Sequence, residues 1–296
     1  MATDPVCGMA VKEEKPPATS QVEDTVYYFC SLGCKVAFDH NPARYIVAQA
    51  GQPATPSKVL SERAVLDETS VLVSTVDLKK TYLRGRDRVP ALQGVSLDVT
   101  KGELVVIMGP SGCGKSTLLH LLGGIDRPDS GQVLFDGQDL GKASDGELTR
   151  FRREKVGFIF QFYNLVPTLS AMENVELPLI ALSFPRRARR KMAEEVLGVM
   201  GLSERLRHRP SELSGGEQQR VAIARAIVAN PRLVLGDELT GDLDSASTET
   251  VMDFLVRLNR DLGLTFVIVT HNPVVAERGT RIIYLRDGRI ERDERA

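Results

Sequence analysis

Four short apolar runs constrain this chain more than anything else in it. Leu104–Met108, Val156–Phe160, Leu233–Leu235 and Thr265–Val269 are each strand-sized, and each gives way at once to glycine or polar residues. Runs of that length without polar alternation read as strands buried on both faces. From Val71 onward they alternate with longer stretches of helix-forming composition, so the expected fold class is α/β with a mainly parallel sheet. In such sheets chemistry gathers outside the carboxyl ends of the strands. The residues that follow each run are therefore the candidates.

The best of them follows the first run. Gly109-Pro110-Ser111-Gly112-Cys113-Gly114-Lys115-Ser116-Thr117 has the P-loop pattern and leads into an apolar helix start at Leu118. Its glycines let the backbone curl so that N–H groups point at phosphate oxygens, with the helix N-terminus behind them. Lys115 supplies a point charge for the β- and γ-phosphates of ATP, and Ser116 a hydroxyl for Mg²⁺. Cys113 takes a variable position as a small filler, with sensitivity to oxidation as the alternative. A second strand supplies carboxylates at Leu233-Val234-Leu235-Gly236-Asp237-Glu238. Neighbouring residues at a strand end project in different directions. Asp237 is thus free to face Mg²⁺ while Glu238 reaches the attacking water as general base.

Many nucleotide hydrolases carry those two motifs, whereas Leu213-Ser214-Gly215-Gly216-Glu217-Gln218-Gln219-Arg220 resembles the signature of ABC ATPases. The resemblance covers about residues 75 to 293 and implies a P-loop NTPase core with a helical subdomain. It also implies that Ser214, Gly215 and Gly216 bind the γ-phosphate of a nucleotide held by an opposite subunit, so that the working form is a homodimer. By the same resemblance Tyr82, in Lys80-Thr81-Tyr82-Leu83, stacks on adenine and Gln161 links Mg²⁺ to the contact with a membrane permease. Asp244, in Gly241-Asp242-Leu243-Asp244, joins the nucleotide site, and His271 touches the γ-phosphate. One position departs from the family: its usual Asp-Glu-Pro-Thr reads Asp237-Glu238-Leu239-Thr240 here. Leu239 gives up the fixed φ of proline, which loosens the turn and spares both carboxylates. Gly94-Val95-Ser96-Leu97, Gly123-Gly124-Ile125-Asp126-Arg127-Pro128, Phe160-Gln161-Phe162-Tyr163-Asn164-Leu165 and Glu173-Asn174-Val175-Glu176-Leu177-Pro178-Leu179 look like the lipoprotein-releasing and macrolide-exporting branch. There, ATP binding closes the dimer and drives a stroke in a four-helix permease.

The N-terminal part is of another kind. Residues 1–48 form a Cys- and aromatic-containing α+β unit, 49–70 a linker rich in proline and small residues with 58–70 reading as helix, and 71–296 the ATPase domain with its helical subdomain at about 164–214. Three of the four cysteines, Cys7, Cys30 and Cys34, fall in the first unit. Asp4-Pro5-Val6-Cys7-Gly8-Met9, Tyr27-Tyr28-Phe29-Cys30-Ser31-Leu32-Gly33-Cys34-Lys35 and then Phe38, Asn41-Pro42 and Tyr45 look like the YHS domain that accompanies heavy-metal transporters. Three thiolates suit Cu(I) or Zn²⁺, and His40 or Asp4 is the candidate fourth ligand. The alternative is that the cysteines only pack a small core.

Charge excludes little but points one way. With 38 basic and 39 acidic residues the net charge is -1, so no nucleic-acid partner is expected. The one basic cluster, Arg186-Arg187-Ala188-Arg189-Arg190-Lys191, reads as a solvated helix face or a contact with lipid headgroups or permease. No apolar stretch approaches the roughly 20 residues of a membrane helix, and Met1-Ala2-Thr3-Asp4-Pro5 is unlike a secretory signal. The expectation is a cytoplasmic subunit, peripheral at the inner face of the membrane. A soluble ABC ATPase uncoupled from transport, and a metal-responsive regulator, stay open as alternatives.

Overall fold

The computed structural model describes residues 70–85 and 87–295, together with 2–6, 10–11, 16, 18–22, 25–29, 34–35 and 38 of the N-terminal unit. Cys7, Cys30, His40 and the expected helix at 58–69 lie outside the described residues. In the N-terminal unit β1 (Ala2–Thr3) pairs antiparallel with β2 (Ala10–Val11), and β3 (Ala18–Val22) with β4 (Thr25–Phe29). The ring of Phe38 meets those of Tyr27 and Phe29 at centroid distances of 4.7 and 5.1 Å. Cys34 is buried in the same small cluster.

The ATPase part opens with two long antiparallel strands, β5 (Val71–Arg84) and β6 (Asp87–Thr100). Next come β7 (Leu104–Met108), α1 (Lys115–Leu122), β8 (Ser130–Phe135), β9 (Gln138–Asp139), α2 (Asp145–Lys155) and β10 (Val156–Ile159). The stretch 164–214 holds α3 (Ala171–Ala181) and α4 (Arg186–Val199). After it come α5 (Gly215–Ile227), β11 (Leu233–Asp237), α6 (Ser245–Leu262), β12 (Thr265–Thr270), α7 (Pro273–Ala276), β13 (Arg281–Arg286) and β14 (Arg289–Arg295).

All four apolar runs of the sequence become neighbours. The central sheet has the order β10-β11-β12-β7-β13-β14, parallel throughout except for β14. Side chains alternate between its faces with the strand period of two. Phe266 and Ile268 of β12 join a core with the helices α3 to α6, whereas Val267 and Val269 join the opposite core. In that second core α1 is held between the parallel sheet and an antiparallel sheet of order β6-β5-β8-β9. The P-loop helix is thus packed on two sides, which fixes where its N-terminus points.

Helix starts differ in a telling way. α2, α3 and α5 each begin with a capping box, Ser144 with Glu147, Ser170 with Glu173 and Ser214 with Glu217, and Asp244 caps α6. Such caps occupy the free N–H groups of the first turn. α1 and α4 have none: α4 starts after Pro185 and α1 from Gly114, each without a side-chain cap, and of the two only α1 follows the P-loop. In α4 Arg186, Arg187, Arg190 and Lys191 of the basic cluster are exposed, whereas Arg189 turns inward to the buried Glu176 at 3.3 Å, and Ala188, Met192, Ala193, Val196 and Leu197 are buried.

Candidate active site

The P-loop leaves β7 and is shaped by glycines that no other residue could replace. A Cβ at Gly114, whose φ is 105°, would stand 2.3 Å from the carbonyl oxygen of Ala91, and one at Gly109 2.1 Å from that of Leu285. Both contacts are with backbone, so neither relaxes cheaply. The Lys115 ammonium is buried and donates to the carbonyls of Gly109 at 2.7 Å and Pro110 at 3.0 Å, which sets it across the mouth of the loop. Burial pushes the Cys113 thiol up, against the pull of nearby Lys115, so at neutral pH it is a protonated filler.

Three more parallel strands end beside this loop. Asp237, the last residue of β11, accepts a hydrogen bond from the Ser116 hydroxyl at 3.1 Å. Burial raises its carboxyl above the ordinary range, and that hydrogen bond partly offsets the rise. A hydroxyl and a carboxylate oxygen side by side are the hard donors that Mg²⁺ takes. Glu238 follows with φ 44°, a left-handed conformation uncommon outside glycine. Its N–H donates to the Val269 carbonyl of β12 at 2.9 Å, and its Oε2 lies 3.0 Å from Nδ1 of His271, just past the end of β12. Gln161, two residues past β10, brings its amide nitrogen against Gly241, the residue whose N–H donates to the Glu238 carbonyl at 2.9 Å.

Leu239 stands in the turn after Glu238. Leu239 is 2% exposed and packs against Gly236, so side-chain burial and the Gly241-to-Glu238 hydrogen bond hold the turn where the family uses proline.

The remaining candidates sit apart from that cluster or on its rim. Tyr82, on β5, donates its hydroxyl to Asp126 at 2.8 Å. The Ser214 hydroxyl accepts from the Glu217 N–H at 3.2 Å at an exposed helix start, and Gly215 lies beside Tyr163 and Leu243. Asp244 accepts from the N–H and hydroxyl of Ser247 at 2.8 and 3.1 Å, and those bonds hold its carboxyl below the ordinary range. Cys34 is buried. Among the described residues no group of three or more His, Cys, Asp and Glu converges as a metal site.

One contributor had no sequence signal. Arg225, near the end of α5, donates to the carbonyls of Tyr163 at 2.7 Å and Asn164 at 2.5 Å. Both residues have positive φ, 53° and 47°, so a guanidinium from the signature helix pins the strained turn that follows Gln161.

This arrangement, a basic P-loop with paired carboxylates on the next strands and a separate Ser-Gly-Gly helix start, coincides with the family comparison. Residues 92–241 match the family model described as ABC transporter, and residues 2–49 the one described as YHS domain. The chain belongs to the ABC transporter ATPase family. This ABC ATPase is 48% identical over 224 residues to the lipoprotein-releasing system ATP-binding protein LolD of Geobacter metallireducens, covering 76% of this chain and 100% of that one. It is 47% identical over 222 residues to the macrolide export ATP-binding/permease protein MacB of Syntrophobacter fumaroxidans, covering 74% of this chain and 31% of that one. A solved dimer of the Methanocaldococcus jannaschii cassette MJ0796, bound to ADP and Pi, matches with TM-score 0.71 and 47% identity, covering 76% of this chain and 98% of that one. The ABC ATPase accordingly has the P-loop NTPase fold, is of the lipoprotein-release and macrolide-export type, and hydrolyses ATP as a transporter's nucleotide-binding subunit. No helix among the described residues is long and apolar enough to cross a membrane.

Proposed function

We propose that the chain works as a homodimer in which ATP binding closes two composite sites and drives a separate membrane permease in export or envelope-related work. The reading is carried by the convergence of Lys115, the Ser116–Asp237 pair and the Glu238–His271 pair at the carboxyl ends of adjacent parallel strands. In each site the P-loop amides and Lys115 hold the β- and γ-phosphates, Ser116 and Asp237 hold Mg²⁺, and Tyr82 stacks on the base. Mg²⁺, held there by Ser116 and Asp237, would neutralise charge that develops on the phosphates. Glu238 takes the proton of the attacking water, His271 fixes the Glu238 carboxylate toward the γ-phosphate, and Gln161 senses the Mg²⁺ side. Ser214, Gly215 and Gly216 of the second copy close the site over the γ-phosphate, which the exposed position of Ser214 at the start of α5 favours.

The permease and the placement at the inner face of the membrane are supported by likeness to LolD and MacB, whose names join an ATP-binding protein to a releasing system and to a permease. The N-terminal unit adds a metal-linked element, with Cys7, Cys30 and Cys34 as soft ligands for Cu(I) or Zn²⁺. Its supports are the YHS match and three thiols in 34 residues.

The test is sedimentation of Glu238→Gln with and without ATP. The variant is expected to bind ATP and stay dimeric while turnover falls by at least about a hundredfold. A monomer at saturating ATP, or full turnover, would count against the reading.

A further inference from the structure

Tyr82 is not free to swing. The phenol donates to Oδ2 of Asp126 at 2.8 Å, across 44 residues of sequence. The other carboxylate oxygen of Asp126 accepts from Lys80 Nζ at 2.8 Å and from the N–H of Arg127 at 2.7 Å. Lys80 also donates to the Arg127 carbonyl at 2.7 Å and stands over the Tyr82 ring, 5.2 Å from its centroid. Asp126 is in turn fixed to the end of the P-loop helix, because the N–H groups of Ile125 and Asp126 both donate to the carbonyl of His120 at 2.9 and 3.4 Å.

Exposed ion pairs contribute little because water screens them and side-chain freedom is lost in forming them. Here the Lys80 side chain is only 12% exposed and that of Asp126 31%. Burial by itself would raise the Asp126 carboxyl, yet hydrogen bonds from Lys80 and Tyr82 outweigh it and hold the group below the ordinary range. The carboxylate is therefore charged at neutral pH and accepts at both oxygens. Tyr82 itself stays 39% exposed, with Lys80 covering one side of the ring.

We propose that Asp126 and Lys80 are positioning residues for the nucleotide: they fix the Tyr82 ring at a set distance from the P-loop, so that base and triphosphate bind as one unit. The inference rests on Tyr82 as the adenine platform. A platform ordered before binding spares ATP the cost of ordering it, an effect that lands on affinity and not on the chemical step.

Steady-state ATPase of the full chain separates the possibilities, with inorganic tripolyphosphate as a competing probe that has phosphates and no base. Asp126→Ala is expected to raise the KM for ATP about tenfold with kcat changed less than about twofold and tripolyphosphate inhibition unaltered. Asp126→Asn, which still accepts from the phenol, should recover part of the loss, and it stands in if the alanine variant folds poorly. In the Tyr82→Phe background the Asp126→Ala effect should shrink to about twofold or less. Equal weakening of ATP and tripolyphosphate would overturn the proposal and leave Asp126 as general support of the P-loop. If Tyr82→Ala leaves the KM unchanged, the platform reading itself falls. If Tyr82→Ala raises KM and Asp126→Ala does not, only the positioning role falls.

Discussion

Nδ1 of His271 lies 3.0 Å from Oε2 of Glu238, and the two side chains leave adjacent parallel strands at the same level, where Asp237 pairs with Val269. Glu238 sits in a left-handed backbone conformation, so its carboxylate depends on side-chain contacts for its direction. His271→Ala is expected to lower kcat by about a hundredfold with the KM for ATP within about threefold, because the lost contact orients a base and does not hold substrate. Steady-state kinetics checks it; an unchanged kcat would remove His271 from the site.

Leu239 offers a test of how the turn is held. It is buried against Gly236 directly beside the candidate base. Truncating a buried leucine to alanine costs about 2–5 kcal/mol in general. Leu239→Ala should therefore unfold at lower temperature, and it should also lose activity at temperatures where it remains folded, since Glu238 loses its backing. Calorimetry paired with kcat at 20–25 °C, about ambient, reads both; a stable, fully active variant would show that the turn needs no packing.

A composite site makes a prediction that no single-chain site makes. Lys115→Ala removes the ammonium of one half-site and Ser214→Arg fills the opposite half, so each variant alone should be inactive. Mixed subunits regain one intact site in mixed dimers, which predicts about a quarter of native activity from an equal mixture. Activity absent from all mixing ratios would speak against shared sites.

Much of this site could be read from the sequence because its parts are local. The P-loop needs a strand, glycines and a helix in immediate succession, and Gly109 to Thr117 supplies them on one stretch of chain. Strand ends were legible for the same reason, although β11 runs on through Gly236 and Asp237, whose low strand propensity is overridden by pairing with Ile268 and Val269. Contacts between distant residues outside the motifs left no trace. Tyr82 meets Asp126 across 44 residues, from a strand β5 whose register shifts along β6 and β8. Arg225 finds Asn164 only once α5 packs on β10. Leu239 read as a loosened turn because the pattern showed a missing proline and not the pocket that holds the leucine.

Acid sensitivity should appear in the helical subdomain. The Glu173 carboxylate accepts from the Ser170 N–H at 2.9 Å and from its hydroxyl at 2.8 Å, and these bonds hold its pKa below the ordinary value. A carboxyl depressed in the folded state stabilises above its unfolded pKa, and that contribution is lost as pH falls through the lower folded value. Glu173→Gln should lower Tm by about 1–2 °C at neutral pH, and the difference should close as pH falls through the lowered folded value, where the carboxyl of the native protein protonates. A gap independent of pH would mean that charge is not what the cap uses.

Cys34 decides what the N-terminal unit is for. It is buried beside Phe29 and Phe38, a setting that suits a packed thiol and equally one ligand of a shielded soft-metal site. The two roles separate by substitution, because a ligand needs sulfur whereas packing needs only apolar volume. Cys34→Val keeps the volume and removes the sulfur. On the metal reading, full-length protein purified and titrated with Zn²⁺ or Cu(I) should hold about one ion per chain, and Cys7→Ser, Cys30→Ser and Cys34→Val should each hold about none while basal ATPase persists. Elemental analysis alongside circular dichroism separates loss of metal from loss of fold. Full metal content in Cys34→Val would assign this thiol to packing alone, and full content in all three variants would end the metal role of the unit.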